Sequence, residues 1–184
     1  PFYWKGYHGT TNYTYVIEDI RDTEKVRAGF TNAKIKNIKR AETIVQVKYD
    51  LSAEKFYENH QMTLAKQNRR ISYSFNLFKD IYDAAHRHSA AKTIYATNSR
   101  GDLHSAFFVI WDDQSAYYLI STIDPAYRDS GSSSLLIKEI IKYLSTKTKS
   151  FNFEGSMLES VENSFRQFGA IQKPYFQLSK VNSK

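Results

Sequence analysis

The 184-residue sequence predicts an α/β fold of the α+β kind, a mixed sheet covered by helices, and three observations carry that expectation. Up to about residue 85 the apolar residues recur mostly at helical spacing. From Ala90 the pattern becomes that of short strands separated by turn-forming loops. Beyond Pro125 helical and strand patterns alternate, an order that lays helices over a mixed sheet.

Taken in order, Tyr13-Thr14-Tyr15-Val16-Ile17 reads as a strand, rich in β-branched and aromatic residues. Asp22 or Thr23 then caps a helix whose Val26, Phe30, Ala33, Ile38 and Ala41 share one face. Thr43 to Tyr49 alternates as a short strand. Ser52 caps a helix that carries Phe56, Met62 and Leu64 to about Gln67, and Ser74 caps another with Phe75, Phe78, Ile81, Tyr82 and Ala85 on its buried side. Thr93–Ala96 and His104–Trp111 flank the turn formers Asn98 to Asp102, the pattern of an antiparallel hairpin, and Ala116–Thr122 adds the third strand of a meander. Asp124-Pro125 stops that strand. Ser132–Ser145 reads as an amphipathic helix with Leu135, Leu136, Ile140, Ile141 and Leu144 inward. Ser150–Phe153 is a strand, Glu159–Phe168 a helix closed by Gly169, and Tyr175–Leu178 a last strand.

Composition narrows the function. Hydrophobic residues make up 41% of the chain, enough for a core, yet no apolar run approaches the roughly 20 residues of a membrane-spanning helix. With no cysteine, disulfides, thiolate catalysis and zinc ribbons are excluded, and the composition suits a cytoplasmic protein. His86 and His88 point in different directions on a helix and His104 has no ligand-type partner at fixed spacing, so no metal site is expected. No Gly-x-Ser-x-Gly elbow points to a serine hydrolase. The net charge of +7, concentrated in Lys34, Lys36, Lys39 and Arg40 and again in Arg69, Arg70, Arg87 and Lys92, favours an anionic partner such as a phosphorylated substrate, a nucleotide or nucleic acid. A solvated basic face is the plainer reading of each cluster. The chain starts at Pro1 and enters almost at once a strand that needs a sheet to join, which reads as a piece of something longer.

Arg128-Asp129-Ser130-Gly131-Ser132-Ser133-Ser134 joins a strand to a helix, where free backbone N–H groups and the positive end of a helix dipole can meet a phosphate. Plain helix capping accounts for the same residues. The segment Ala106 to Leu144 resembles the donor-binding centre of the GNAT superfamily of N-acyltransferases, whose signature is Arg or Gln, two residues, Gly, one residue, Gly or Ala. Arg128 and Gly131 match it, and Ser133 departs from the final Gly or Ala. Tyr13–Ile17, Asn37 to Glu42, Phe151 to Met157 and Phe165 to Ala170 resemble the Fem-type branch, which comprises bacterial peptidoglycan aminoacyltransferases and related acetyltransferase-like proteins.

That resemblance implies a mostly antiparallel GNAT-like sheet and transfer of an acyl or aminoacyl group, from acyl-CoA or aminoacyl-tRNA, to an amine such as one on a cell-wall precursor. It implies residues 1–20 as the closing strand of a largely missing N-terminal GNAT-like domain, 21–50 as a connecting helix and strand, and 51–184 as the acyltransferase domain. Backbone of the strand Tyr118 to Thr122, with Leu119, Ile120 and Thr122, is implied to face the donor, whose anionic part meets Arg128, Gly131, Ser132, Ser133 and Ser134. Acyl transfer also needs a proton acceptor and a proton donor. Glu154, ending an apolar strand beside Gly155, is the expected base or amine anchor; pairing with Arg166 or capping the next helix is its structural alternative. Tyr118, with Tyr117 and Tyr127 as further candidates, is the expected donor to the leaving group, set against plain packing. The competing function is a non-catalytic module that binds nucleotide or nucleic acid on a degenerate acyltransferase fold.

Overall fold

The computed structural model describes residues 2–155 and 159–181. Seven strands form one sheet: β1 (His8–Ile17), β2 (Gln46–Tyr49), β3 (Ala91–Thr97), β4 (Leu103–Trp111), β5 (Ser115–Ile123), β6 (Ser150–Gly155) and β7 (Ile171–Ser179). Their spatial order is β2-β3-β4-β5-β6-β1-β7. Every neighbouring pair is antiparallel except β5 and β6, which run parallel. The helices are α1 (Thr23–Ala28), α2 (Asn32–Ile44), α3 (Ala53–Ala65), α4 (Phe75–Arg87), α5 (Ser132–Leu144) and α6 (Glu159–Arg166).

The sheet is apolar on both faces, so it carries two cores. One joins α1, α2, α5 and α6 to the sheet through Val26, Ile38, Leu136, Ile140 and Phe165, packed on Tyr15, Phe107, Tyr118, Phe151 and Phe153. The other lies under α3 and α4, where Phe56 and Phe78 stack at 5.5 Å and meet Phe108 edge-on. The expected mixed, mostly antiparallel sheet with helices is thus present.

Local chemistry explains where the elements differ from expectation. The helix foreseen from Asp22 to Ala41 is two helices: Asp22 caps α1, the chain breaks at Gly29-Phe30, and the Thr31 hydroxyl accepts the Lys34 N–H to start α2. Its restart rotates the buried face, leaving Ala33 exposed and turning Lys34 inward. Thr43 and Ile44 finish α2 rather than beginning β2. Ser52 and Ser74 cap α3 and α4 as expected. Met62 and Ile81, expected inside, are about 40% exposed. β7 runs through Pro174, tolerated because this strand is an edge.

Residues 8–17, expected to close a neighbouring domain, lie inside this sheet as β1, bonded to β6 on one side and β7 on the other. The segment 21–50 likewise builds α1, α2 and the opposite edge strand β2. Ser156 and Met157, part of the Fem-like stretch, lie outside the described residues.

Candidate functional site

The parallel pair β5 and β6 is bonded only at its start, Ser115–Ser150, Ala116–Phe151 and Tyr117–Asn152. Beyond Tyr117 and Asn152 neither strand continues that ladder. β5 keeps its pairing with β4, and β6 with β1, so the sheet opens along a V between them. Both arms of the V are bulged. On β5, Ile120 and Tyr117 face Phe108 and Ile110, so Tyr118 and Leu119 together oppose Val109. On β6, Gly155 and Asn152 face Thr14 and Val16, so Phe153 and Glu154 together oppose Tyr15. An inserted residue unpairs the ladder and re-aims side chains.

Glu154 takes up the second bulge with a left-handed backbone, φ +62°. Such a conformation in a non-glycine residue costs of order 1–3 kcal/mol and collects at functional sites. Its N–H donates to Asn152 Oδ1 at 2.8 Å. The side chain is half-buried, and loss of water raises the carboxyl pKa above its ordinary range. The alternative partner, Arg166, goes instead to Glu162 at 2.8 Å and Gln172 at 2.9 Å. Next to it, a side chain on Gly155 would meet the Tyr13 carbonyl oxygen at 2.7 Å, so the bulge can close only on glycine.

Tyr118 lies on the other arm, turned into the aromatic cluster of the α5 face. Phe107 meets it edge-on at 4.7 Å, and Phe151, Phe153 and Phe165 surround it at 6.1–6.3 Å. Burial drives its phenol pKa strongly upward, with the Ser121 hydroxyl opposing.

The remaining expected residues divide. Leu119 is exposed at the opening, and Ile120 turns toward α4. Thr122 is buried against α3, its hydroxyl 3.0 Å from Asn59 Oδ1 and 2.6 Å from Thr63 Oγ1. Gly131 has φ +78°, and the backbone it approaches is α2: an added Cβ would stand 2.3 Å from the Asn37 carbonyl oxygen. Ser132 is buried in a serine cluster, its Oγ accepting from Ser105 and Ser130 at 2.9 Å and its N–H donating to Ser130 Oγ at 3.2 Å. Ser134 is buried as well. Arg128 is exposed and Ser133 half-exposed at the start of α5. The turn therefore offers a ligand less of its surface than its composition suggests.

A polar stripe on α3 was not foreseen. Asn59, Thr63 and Lys66 repeat at helical spacing and continue the Phe56 face toward the end of β5. There Lys66 Nζ donates to Asp124 Oδ2 at 2.6 Å, while Asp124 Oδ1 accepts the Ala126 N–H. His60 Nδ1 lies 3.0 Å from the Tyr73 hydroxyl. Burial holds the His60 pKa below its ordinary value, with Arg69 adding to the effect. An open groove of about 320 Å³ runs beside this stripe, between Lys66, Asp102 and Tyr127. The 59-63-66 spacing was the available signal. Among the described residues no three His, Asp or Glu side chains converge as a metal site would require, and no helix is long and apolar enough to cross a membrane.

The sequence profile of the Acetyltransferase (GNAT) domain matches residues 27–153. Solved structures share the fold. The crystal structure of FemX superposes with TM-score 0.74 at 12% identity over 87% of this chain and 59% of its own. L-PGS from Bacillus licheniformis gives 0.66 at 9% identity, over 100% and 64%. A tandem GNAT protein from the clavulanic acid biosynthesis pathway gives 0.56 at 8%, over 95% and 54%. The chain thus spans about three fifths of the length of these structures. A search of curated protein sequences finds no match.

Proposed function

Because this chain belongs to the Acetyltransferase (GNAT) domain family, we propose that it is an N-acyltransferase whose reaction takes place in the V between β5 and β6. One observation carries the reading: the one parallel pair among the described residues separates after three residues, between two bulges, with a half-buried carboxylate on a strained backbone on one arm. Unpaired β5 backbone beyond Tyr117 offers N–H groups to a carbonyl oxygen as it becomes an oxyanion. An amine entering between the arms attacks the carbonyl carbon. Glu154 takes the proton that the amine sheds, the new C–N bond forms, and the C–S bond of acyl-CoA or the C–O bond of aminoacyl-tRNA breaks. Tyr118 gives a proton to the departing thiolate or alkoxide, and the proton gained at Glu154 balances it.

Acyl-CoA is the first donor in this reading and aminoacyl-tRNA the second, with an amine on a cell-wall precursor as acceptor. The donor's anionic portion lies along Arg128 and Ser133 at the start of α5, where the helix dipole favours it. A neighbouring GNAT-like domain belongs to the same proposal, in keeping with the tandem protein of which this chain covers 54%.

Amide hydrogen exchange with and without acetyl-CoA or charged tRNA tests it. Protection of 118–123 and 128–134 by one donor, weakened by Arg128→Ala, is the expected result. Arg128 is exposed, so this change spares the fold, whereas a large residue at 131 would collide with α2. No response to either donor, with nucleic-acid binding that falls steeply with salt, selects the non-catalytic module instead.

A further inference from the structure

On the α3 and α4 side of the sheet, a groove of about 270 Å³ begins where the β5–β6 ladder ends. Phe78 and Phe108 form its floor, Leu119 and Ile120 one wall, and Leu77 and Ile81 the other. Its surface is almost all carbon. The bulge creates it: consecutive strand residues normally point to opposite faces, yet Leu119 and Ile120 both line this groove. α4 contributes more apolar surface than the sheet can cover. Phe78 and Tyr82 pack down, while Leu77 and Ile81, one turn apart on the adjoining stripe, stay 52% and 41% exposed. Leu119 is 38% exposed across from them.

An apolar trough fixed beside the reacting strand has a definite place in acyl transfer. A carbonyl held against the free backbone of β5 lies next to Leu119 and Ile120, so the carbon chain bonded to it is directed along the trough beneath α4. The volume falls just below the roughly 300 Å³ of small-molecule sites, suiting one substituent rather than a whole substrate. We propose that this groove seats the side chain of the transferred acyl group, and that the group is an apolar one, a hydrocarbon chain or an apolar aminoacyl side chain, rather than acetyl or a polar residue. This inference rests on the acyltransferase reading above.

Titration calorimetry on the whole chain separates the two. CoA, acetyl-CoA and octanoyl-CoA form one series, and tRNA charged with glycine or with leucine the other. Octanoyl over acetyl, or leucyl over glycyl, is expected to bind about tenfold tighter or more. Leu77→Lys with Ile81→Lys, both at exposed positions, removes that preference and leaves CoA and acetyl-CoA, or glycyl-tRNA, binding as before. Donors that bind with no preference for the apolar group overturn the inference and leave the acyltransferase reading standing. So does a lysine pair that leaves the preference intact or weakens every donor equally. If no donor binds at all, the reading and the inference fall together.

Discussion

Glu154 combines two costs that a structural residue has no reason to keep: a left-handed backbone and a carboxylate partly stripped of water. Glu154→Gly relieves the first and is expected to raise stability by about 1 kcal/mol in urea melts while abolishing acyl transfer. Glu154→Gln keeps the shape and removes the proposed base, and is expected to lower kcat roughly 10²–10⁴-fold. The sign with pH follows from the raised pKa. Only the ionised form accepts a proton, so kcat/KM falls as pH drops through a value above the ~4.3 of a free glutamate, and the Gln variant loses that limb. Lys34 shows what a pattern of charges conceals. In the sequence it heads a basic cluster with Lys36, Lys39 and Arg40, but the break at Gly29 rotates α2 and buries it, with Nζ donating to Ser164 Oγ at 2.8 Å and lying over the Phe168 ring. Burial lowers its pKa to about 8. Between that value and the ~10.4 of a free lysine the unfolded chain binds more protons than the folded one, so stability rises with pH across this window. Lys34→Met is therefore expected to stabilise the protein by roughly 1–3 kcal/mol at pH 7, with a gain that shrinks by pH 10.5.

Most elements were legible because their caps and periods act locally: Ser52, Ser74 and Asp22 each accept the N–H three residues on, and the meander from Ala91 to Ile123 follows from alternation and turn formers. What was not legible depends on partners distant in sequence. Gly131 is the instructive case, since strand, glycine, serines and helix are the pattern of an anion cradle and the glycine was expected to let the chain approach a ligand. Its hydrogen instead faces the Asn37 carbonyl of α2, a contact no local pattern reports. Both of its constraints, positive φ and contact with fixed backbone, oppose any side chain. Gly131→Ala should cost about 3 kcal/mol and loosen α2 from α5, seen as a lower unfolding midpoint and faster amide exchange in both helices. Arg128→Ala, at an exposed position, is expected to leave that midpoint unchanged. The V and the two bulges that shape it arise from cross-strand register, which a single strand's sequence does not encode.

At the scale of the molecule, the first strand in sequence stands sixth in the sheet, between β6 and β7. It supplies Tyr15, fully buried, and Ile17 to the larger core, and its Thr14 hydroxyl bonds Asn152, 138 residues away. Contacts of that range give little return until the loop between them is closed, which makes the β6–β1–β7 half of the sheet a late-forming part of the fold. The same strand braces the bulge that carries Glu154, because Thr14 and Val16 set the register against which Phe153 and Glu154 are in excess. Folding and chemistry should therefore fail together when it is missing. A fragment of residues 21–184 leaves β6 and β7 with facing, unpaired edges and a gap where Tyr15 packed. It is expected to keep helical far-UV circular dichroism from α3 to α5 but to lose near-UV signal, cooperative unfolding and any donor-induced protection. A peptide of residues 2–20 added in trans should restore all three, in proportion to its occupancy. Cooperative unfolding of the fragment alone would show that the sheet closes without β1, and would remove this strand from the account of how Glu154 is held.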